Sequence, residues 1–477
     1  GAGRCVRKSD VPLLEIRMSH RKCRAAALAA AVGLSIALAG PRARAQETKP
    51  ADTDMAQEVK TLRQQVSELQ EHQREMEAQL KAQKEAANRP TAEEVNAAVE
   101  KVQRDAQIHS QVLETGGMAA GYDPNIGFFI RADEGRFLLH PWSLFQFRDV
   151  STLRQGADSG DNNNVQNGFE LRRLQLGVDG TMFTPDFTYR VFIQNVRTTG
   201  DIELVTAFAR YHFADTPWSV LGGQFKAPLD HEQLISDKYQ LAVDRTLTDD
   251  ILAGGEAFSD GVSVVYDDHG PFRAQAALTN GFDVDNTSFQ DYPTRAANFG
   301  VGGRAEYKAF GDWRDYDQFT SLKDHEQELL VFGAGVDFTE AGHSNALRHV
   351  IDAQFNSGPL GLYAAYLGRY TQANAAFGDT YDASLRLQAS YLFTSQIEGF
   401  GRYDFLHLDG KTVPAGTHET INEFTAGFNY YFHGHAAKFV LDLSYLPEGS
   451  PENDTGSGVL ENPKGELVGR AQFQLIL

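Results

Sequence analysis

From Phe137 to Leu477 the chain is a succession of stretches of about ten residues in which apolar and polar side chains alternate. Phe187, Tyr189, Val191 and Ile193 form one such apolar face; Tyr381, Ala383, Leu385, Leu387, Ala389 and Tyr391 form another. The last runs from Leu467 through Ala471 and Phe473 to Leu475. Neighbouring side chains on a pleated strand point to opposite faces, so each stretch offers one apolar and one polar side. The links between stretches alternate in length. Thr184–Asp186, Ala214–Pro217, Asp267–Pro271, Ser357–Pro359 and His433–Ala436 are short. Pro228–Ser259, Asp283–Asn298, Lys411–Glu419 and Pro447–Glu466 are long, and Phe310–Gln327 is long where a short turn is due. About sixteen stretches with this rhythm predict an all-β fold, a sixteen-stranded antiparallel transmembrane barrel with short periplasmic turns and longer external loops. Aromatic groups near strand ends, Tyr391 and Phe393, Tyr430-Tyr431-Phe432 and Tyr445, fit interfacial girdles.

The pattern before Phe137 is different. Met55, Val59, Leu62, Val66, Leu69, Gln73, Met76 and Leu80 recur at spacings of four and three, the seam of a coiled coil, and a weaker amphipathic segment follows Pro90. Such a stripe implies self-association, with a solvated single-helix tether as the alternative. Further upstream, His20-Arg21-Lys22-Cys23-Arg24 is a basic flank to an apolar run from Ala25 to Ala39, and Ala43-Arg44-Ala45 supplies a cleavage site. Met18 is the natural start of this leader. The expected organisation is an export leader over 1–45, a periplasmic coiled-coil helix over 46–117, a linker over 118–136 and the barrel over 137–477. Both cysteines, Cys5 and Cys23, fall in the leader, so no disulfide or thiolate metal site is expected in the mature chain.

One stretch breaks the alternation. In FELRRLQLGVDG, Phe169 and Leu171 have one parity, and Leu174, Leu176 and Val178 have the other. The change falls at Arg172-Arg173. A midplane arginine facing lipid costs about 2–4 kcal/mol, so the pattern predicts a β-bulge or bend there, with Arg173, Gln175 and Asp179 turned inward. In a regular strand, Arg172 would have to lie above the hydrocarbon or in a subunit contact.

Charge refines the picture. The net formal charge of −20 excludes nucleic acid as a partner, since phosphates demand a basic surface. Yet the polar faces of the strands carry Arg173, Arg190, Lys226, Arg273, Arg304, Lys308, Arg348, Arg369, Arg386, Arg402, Lys438 and Arg470. Acids on these faces are fewer: Glu306, Asp352, Asp382, Asp404 and Asp442. An arginine-biased wall is what an anion pathway needs. The competing account pairs each arginine with a neighbouring acid, Arg386 with Asp382 and Arg402 with Asp404.

The long segment between the fifth and sixth stretches, PLDHEQLISDKYQLAVDRTLTDDILAGGEAFS, mixes apolar anchors (Leu234, Ile235, Tyr239, Leu241, Val243) with charges. It is suited to fold inward and narrow the lumen, the alternative being an external loop that packs on its neighbours or on another subunit. The leader, the helical segment, RRLQLGVDG, GQFKAPL and the downstream Asp244-Arg245 together resemble the phosphate-selective porin O and P family. That resemblance implies a trimer of sixteen-stranded barrels whose third external loop enters the pore, with arginines along the wall and lysines at a constriction that passes phosphate. Lys226 and Arg245 take pore-mouth or constriction positions by motif; His231, Lys238 and Asp244 are further candidates on the loop. Lys238 is its only lysine, so the lysine cluster of the family has no counterpart.

No nucleophile elbow, P-loop or metal-ligand spacing stands out. Gly342-His343-Ser344-Asn345-Ala346 lacks the final glycine of an elbow, and His433-Gly434-His435 reads as a polar turn. The expectation is a passive porin of the bacterial outer membrane, not an enzyme, without cofactor or metal. Its partners would be outer-membrane lipid and small anions such as phosphate, and it would form a homotrimer. A general or cation-preferring porin is the alternative, as is an envelope tether touching the cell wall through residues 46–117.

Overall fold

The computed structural model describes residues 118–477 apart from 124–126, 133–135, 157–163, 285–298, 322–327, 342–343, 373–377, 412, 414–416 and 452–455. The expected leader and coiled coil lie outside the described residues. The stretch expected as a linker instead holds a hairpin, β1 (Met118–Asp123) and β2 (Gly127–Ala132), in full antiparallel register. The barrel strands then follow in order. They are β3 (Phe137–Arg154), β4 (Val165–Met182), β5 (Thr184–Asn195), β6 (Ile202–His212), β7 (Trp218–Lys226), β8 (Phe258–Asp267), β9 (Phe272–Thr279) and β10 (Phe299–Phe310). The remainder are β11 (Glu328–Ala341), β12 (Ser344–Ser357), β13 (Leu360–Gln372), β14 (Thr380–Thr394), β15 (Ile397–His407), β16 (Thr420–His433), β17 (Ala437–Leu446) and β18 (Glu466–Ile476).

Each strand from β3 to β18 pairs with the next, and β18 pairs back onto β3, closing a sixteen-stranded antiparallel barrel. Closure removes every free edge, which is what the hydrocarbon core requires. β3 extends past the end of β18, whose pairing stops at Ile476 opposite Leu144, and β2 pairs with Leu139, Leu138 and Phe137 further along. The alternation seen in the sequence sets the two faces. Leu385 and Leu387 on β14, and Leu441 and Leu443 on β17, are exposed on the outside; Arg386 and Asp442 between them are buried inside. The girdle expectation needs one correction. Tyr430 and Phe432 lie together on the outside, ring centroids 4.8 Å apart, but Tyr431 has the inward parity and donates a 2.6 Å hydrogen bond to Glu398 Oε2.

The parity change at Arg172-Arg173 is a β-bulge. Gln146 of β3 pairs with Arg173 and the next residue, Phe147, pairs with Leu171, so Arg172 has no partner. The extra residue restores phase: Phe169 and Leu171 share the outer face with Leu174, Leu176 and Val178, while both guanidinium groups reach inward.

Two links enter the barrel from opposite ends. The link between β7 and β8 holds α1 (His231–Leu234), a 3₁₀ turn (Asp237–Tyr239) and α2 (Leu247–Leu252). Its apolar anchors Leu229, Leu247 and Leu252 pack with inner-wall residues such as Val350, Leu367, Leu406 and Val468. Leu241 and Val243 join a second cluster with Phe319, Tyr363 and Phe400. Each buried leucine contributes about 1.5–3 kcal/mol, which offsets the cost of ordering the loop. The unexpectedly long link from β10 to β11 carries α3 (Trp313–Tyr316), also turned inward.

Candidate functional site

The inward loop is held by a pattern that sequence alone could not assemble. Wall bases donate to its backbone carbonyls: Arg304 Nη1 to Leu229 O (3.0 Å), Arg402 Nη1 to Asp244 O (2.8 Å) and Lys438 Nζ to Gln240 O (2.9 Å). Wall acids accept its backbone N–H groups, Asp442 Oδ2 from Val243 (2.8 Å) being one. Around α2 the two kinds separate by end. The N–H groups of Leu247 and Thr248 donate to Glu423 Oε2 (3.1 Å) and Asp404 Oδ2 (2.8 Å). The carbonyls of Ile251 and Leu252 accept from Arg369 Nη1 (2.8 Å) and Arg348 Nε (3.2 Å). Acids at the N-terminus and bases at the C-terminus satisfy the unpaired end groups of a helix and suit its dipole. Beside Leu229 the wall has no side chain, and a Cβ on Gly335 would collide with the Leu229 carbonyl oxygen.

Side-chain ion pairs lock the same contact. Arg386 grips Asp230 through both terminal nitrogens (2.6 and 2.7 Å) and also donates to Glu232 Oε2 at 2.7 Å. Its expected neighbour Asp382 is instead bound by Arg369 at 2.8 Å. Arg402 reaches Glu423 at 3.2 Å, and Asp404, its expected partner, accepts from Thr248. The pairing account was right in kind but named the wrong acids, because the partners sit on the loop and on the next strand across. Asp244 is the centre of a second cluster: Arg148 bonds it directly, Arg172 Nε lies at 3.1 Å, Arg173 at 3.6 Å and Arg470 at 4.0 Å. Burial alone would raise its carboxyl, but these four guanidinium groups outweigh it and hold Asp244 below the ordinary carboxylate range. Asp237 is lowered in the same way: against its burial stand Arg173, Arg245 and Lys226.

The two inward links meet. His231 lies flat against Tyr316 of α3, and its Nε2–H donates to Gln354 Oε1 at 2.9 Å. Gln354 is oriented for that role because its amide nitrogen donates to Gln318 O at 2.8 Å. His435 extends the join, with Nε2 at 2.9 Å from Gln318 Oε1 and 3.1 Å from Thr320 Oγ1. Burial holds the His231 imidazole below its ordinary value, partly opposed by Asp352 and helped by Arg304.

Of the residues expected to line the lumen, Arg173, Arg304, Arg348, Arg369, Arg386, Arg402, Lys438 and Arg470 all contact the inward loop. Lys226 Nζ donates to Gln233 O at 2.6 Å. On the loop, His231, Asp244 and Arg245 are buried in the anchor rather than set at a solute surface, and Lys238 has its ammonium over the Tyr239 ring. Arg273 and Lys308 lie over the Trp313 ring at 4.2 and 5.0 Å. Arg190 differs: its side chain is 50% exposed and 3.9 Å from Asp179, on a stretch of wall where Thr188, Phe208, Arg210, Arg273 and Gln275 are half-buried, while Thr206, Ala277 and Thr279 on the same inward faces are buried. The sequence reading missed Arg148 and Glu423, although the alternation with Phe145 and Phe147, and with Phe424 and Phe428, already gave them the inward parity.

A closed sixteen-stranded barrel with an interstrand link folded into the lumen is the architecture of an outer-membrane porin. Residues 149–474 match the phosphate-selective porin O and P family, and the chain belongs to it. Among solved structures, an anion-selective porin from Comamonas acidovorans superposes with TM-score 0.51 at 11% identity, covering 71% of this chain and 99% of that one. The DcaP channel of Acinetobacter baumannii gives 0.48 at 10% identity over 71% and 97%. OprB of Pseudomonas putida gives 0.48 at 10% over 70% and 94%. No curated protein matches the chain significantly. Family and fold together make this an outer-membrane channel protein.

Proposed function

We propose that the protein is a passive porin in which small hydrophilic solutes cross beside the inward loop, along β5, β6 and β9, with a preference for small anions such as phosphate. The observation that carries this reading is the contrast between cations. Arg386 and Arg470 are buried under the loop, whereas Arg190 is half exposed and Arg273 keeps a quarter of its side chain in water. Arg210, on the same side, is held at Ser219 Oγ by a 3.0 Å bond. Guanidinium groups that remain charged along an open wall favour oxyanions. The chain would act as a homotrimer in the outer membrane.

A weakly selective general porin is the second reading, favoured by one observation: most wall arginines are already neutralised by loop acids such as Asp230, Glu232 and Asp244. A reversal potential across a salt gradient decides between them. An anion-preferring value supports the first reading; a value near zero supports the second, and a cation-preferring one removes both. A tethering role through residues 46–117 is separable, since deleting that segment would leave conductance unchanged under the porin reading.

A further inference from the structure

Asp249 is a carboxylate of the loop anchor that the arginines serve poorly. It is fully buried on α2, and neither of its oxygens accepts a hydrogen bond. The nearest cation, Arg245 Nε, stays 3.8 Å away. Asp230 and Glu232 stand beside it, and one oxygen from each of the three acids lies within 4.8 Å of the others. A desolvated carboxylate with no hydrogen-bond donor and one long ion pair needs further neutralisation, by a proton or by a metal cation.

For a metal at this place, three observations select calcium. Every donor is a hard carboxylate oxygen, the set chosen by calcium or magnesium over zinc or copper. Two ligands of one calcium ion can stand apart by up to twice the metal–oxygen distance, about 4.6–5.2 Å, which accommodates the observed span. Asp230, Glu232 and Asp249 are at most 2% exposed, which disfavours magnesium because that ion keeps several waters. The arginine contacts do not block the site. Each Asp230 oxygen accepts one bond from Arg386 and keeps a lone pair; Glu232 Oε2 is filled by Arg386 and the Thr246 hydroxyl, but Oε1 accepts only from Thr246 N and keeps one.

We propose that Asp230, Glu232 and Asp249 bind a calcium ion that clamps the two limbs of the inward loop together. The ion joins the segment entering the loop at α1 to the segment leaving it at α2, so its loss should free the loop without opening the barrel. This inference does not depend on the direction of ion selectivity.

The test is calcium titration of the EGTA-stripped, detergent-purified full-length protein by calorimetry at neutral pH, with barrel folding checked by heat modifiability on gels. One calcium per chain is expected. Asp249→Asn should weaken binding by at least about tenfold, because it removes one of three charged ligands, while Asp250→Asn should leave it unchanged. Wild-type protein that binds no calcium, or D249N that binds it as before, overturns the proposal. Absence of binding together with a pH-dependent melting temperature that D249N abolishes would assign a shared proton instead. If D249N fails to assemble, anomalous scattering from wild-type crystals grown in calcium decides, by a peak among the three carboxylates or its absence there.

Discussion

The imidazole of His231 stacks on the ring of Tyr316 with centroids 3.8 Å apart and planes 10° from parallel. One ring belongs to the link between β7 and β8, the other to the link between β10 and β11, which enters from the opposite end, so the two inserts brace each other in the lumen. Replacing Tyr316 by Ala removes this brace and a hydroxyl that accepts from Arg304 at 2.8 Å. Loss of a buried aromatic costs about 3–5 kcal/mol. The expected outcome is a noisier channel of higher mean conductance in planar bilayers, with the barrel still folded.

Arg386 offers a test of the anchor. Changing it to Met leaves Asp230 and Glu232 buried without their main cation, a loss of about 3–5 kcal/mol for a broken buried pair. The melting temperature should fall sharply. The triple variant Arg386→Met, Asp230→Asn, Glu232→Gln should recover much of the fall, because what destabilises is the uncompensated charge.

Selectivity should respond at exposed positions and not through buried ones. Arg190→Glu reverses a charge on the open wall, worth about 1 kcal/mol on a passing ion at 4 Å in a water-like medium. The anion-to-cation permeability ratio should drop by up to about thirtyfold, since reversal doubles that effect to about 2 kcal/mol. Arg190→Gln should give about half the change in free energy. Reversal potentials in potassium chloride gradients provide the measurement.

Acid and base should act on the loop in opposite senses. The Asp249 carboxyl is raised well above 3.8, first by burial, with Glu232, Asp230 and Asp250 adding to it and Arg245 opposing. A group raised on folding stabilises fully below its unfolded value and loses that contribution as pH climbs through the folded value. With chelator present, the melting temperature should therefore decline as pH rises above about 4, and D249N should flatten the decline. Asp237 and Asp244 are lowered instead, so their contribution is present above 3.8 and disappears only as pH falls below it.

The bulge makes an unusual prediction about a deletion. Removing Arg172 alone brings Leu171 next to Arg173 and leaves a strand whose alternation is unbroken. The barrel should still assemble, by the heat-modifiability criterion. The cost should appear in the loop, through the lost 3.1 Å contact to Asp244. Deleting Leu171 instead keeps the same phase but turns Arg172 to the outer face in place of a leucine, where a midplane arginine costs about 2–4 kcal/mol, and should impair assembly.

What the sequence disclosed and what it withheld divide along one physical line. Alternation with period two is a local property, so strand number, faces, loop rhythm and the kink at Arg172-Arg173 could be read from neighbours along the chain. The inward parity of Arg386 and Arg470 was legible for the same reason. Their partners were not: Asp230 lies 156 residues from Arg386, and only the closed barrel brings them together. The long link after β10 registered as a departure from rhythm, but nothing local indicated that Tyr316 would meet His231. The hairpin β1–β2 was read as a linker because it is short, and its stabilising partner is the overhanging end of β3.

Asp244 draws its guanidinium partners from both sides of the place where the ring of strands is joined. Arg148 stands on β3 and Arg172 and Arg173 on β4, while Arg470 stands on β18. The first and last strands of the ring are far apart in the chain and meet only when the cylinder is complete. Before that moment the four guanidinium groups cannot all surround the aspartate, because Arg470 is missing, and the loop is held less firmly. Docking of the loop is thus a late event in biogenesis and reports that the join has been made. A nascent barrel caught open on its assembly machinery should carry this segment unprotected, and protease should cut it there and spare it afterwards.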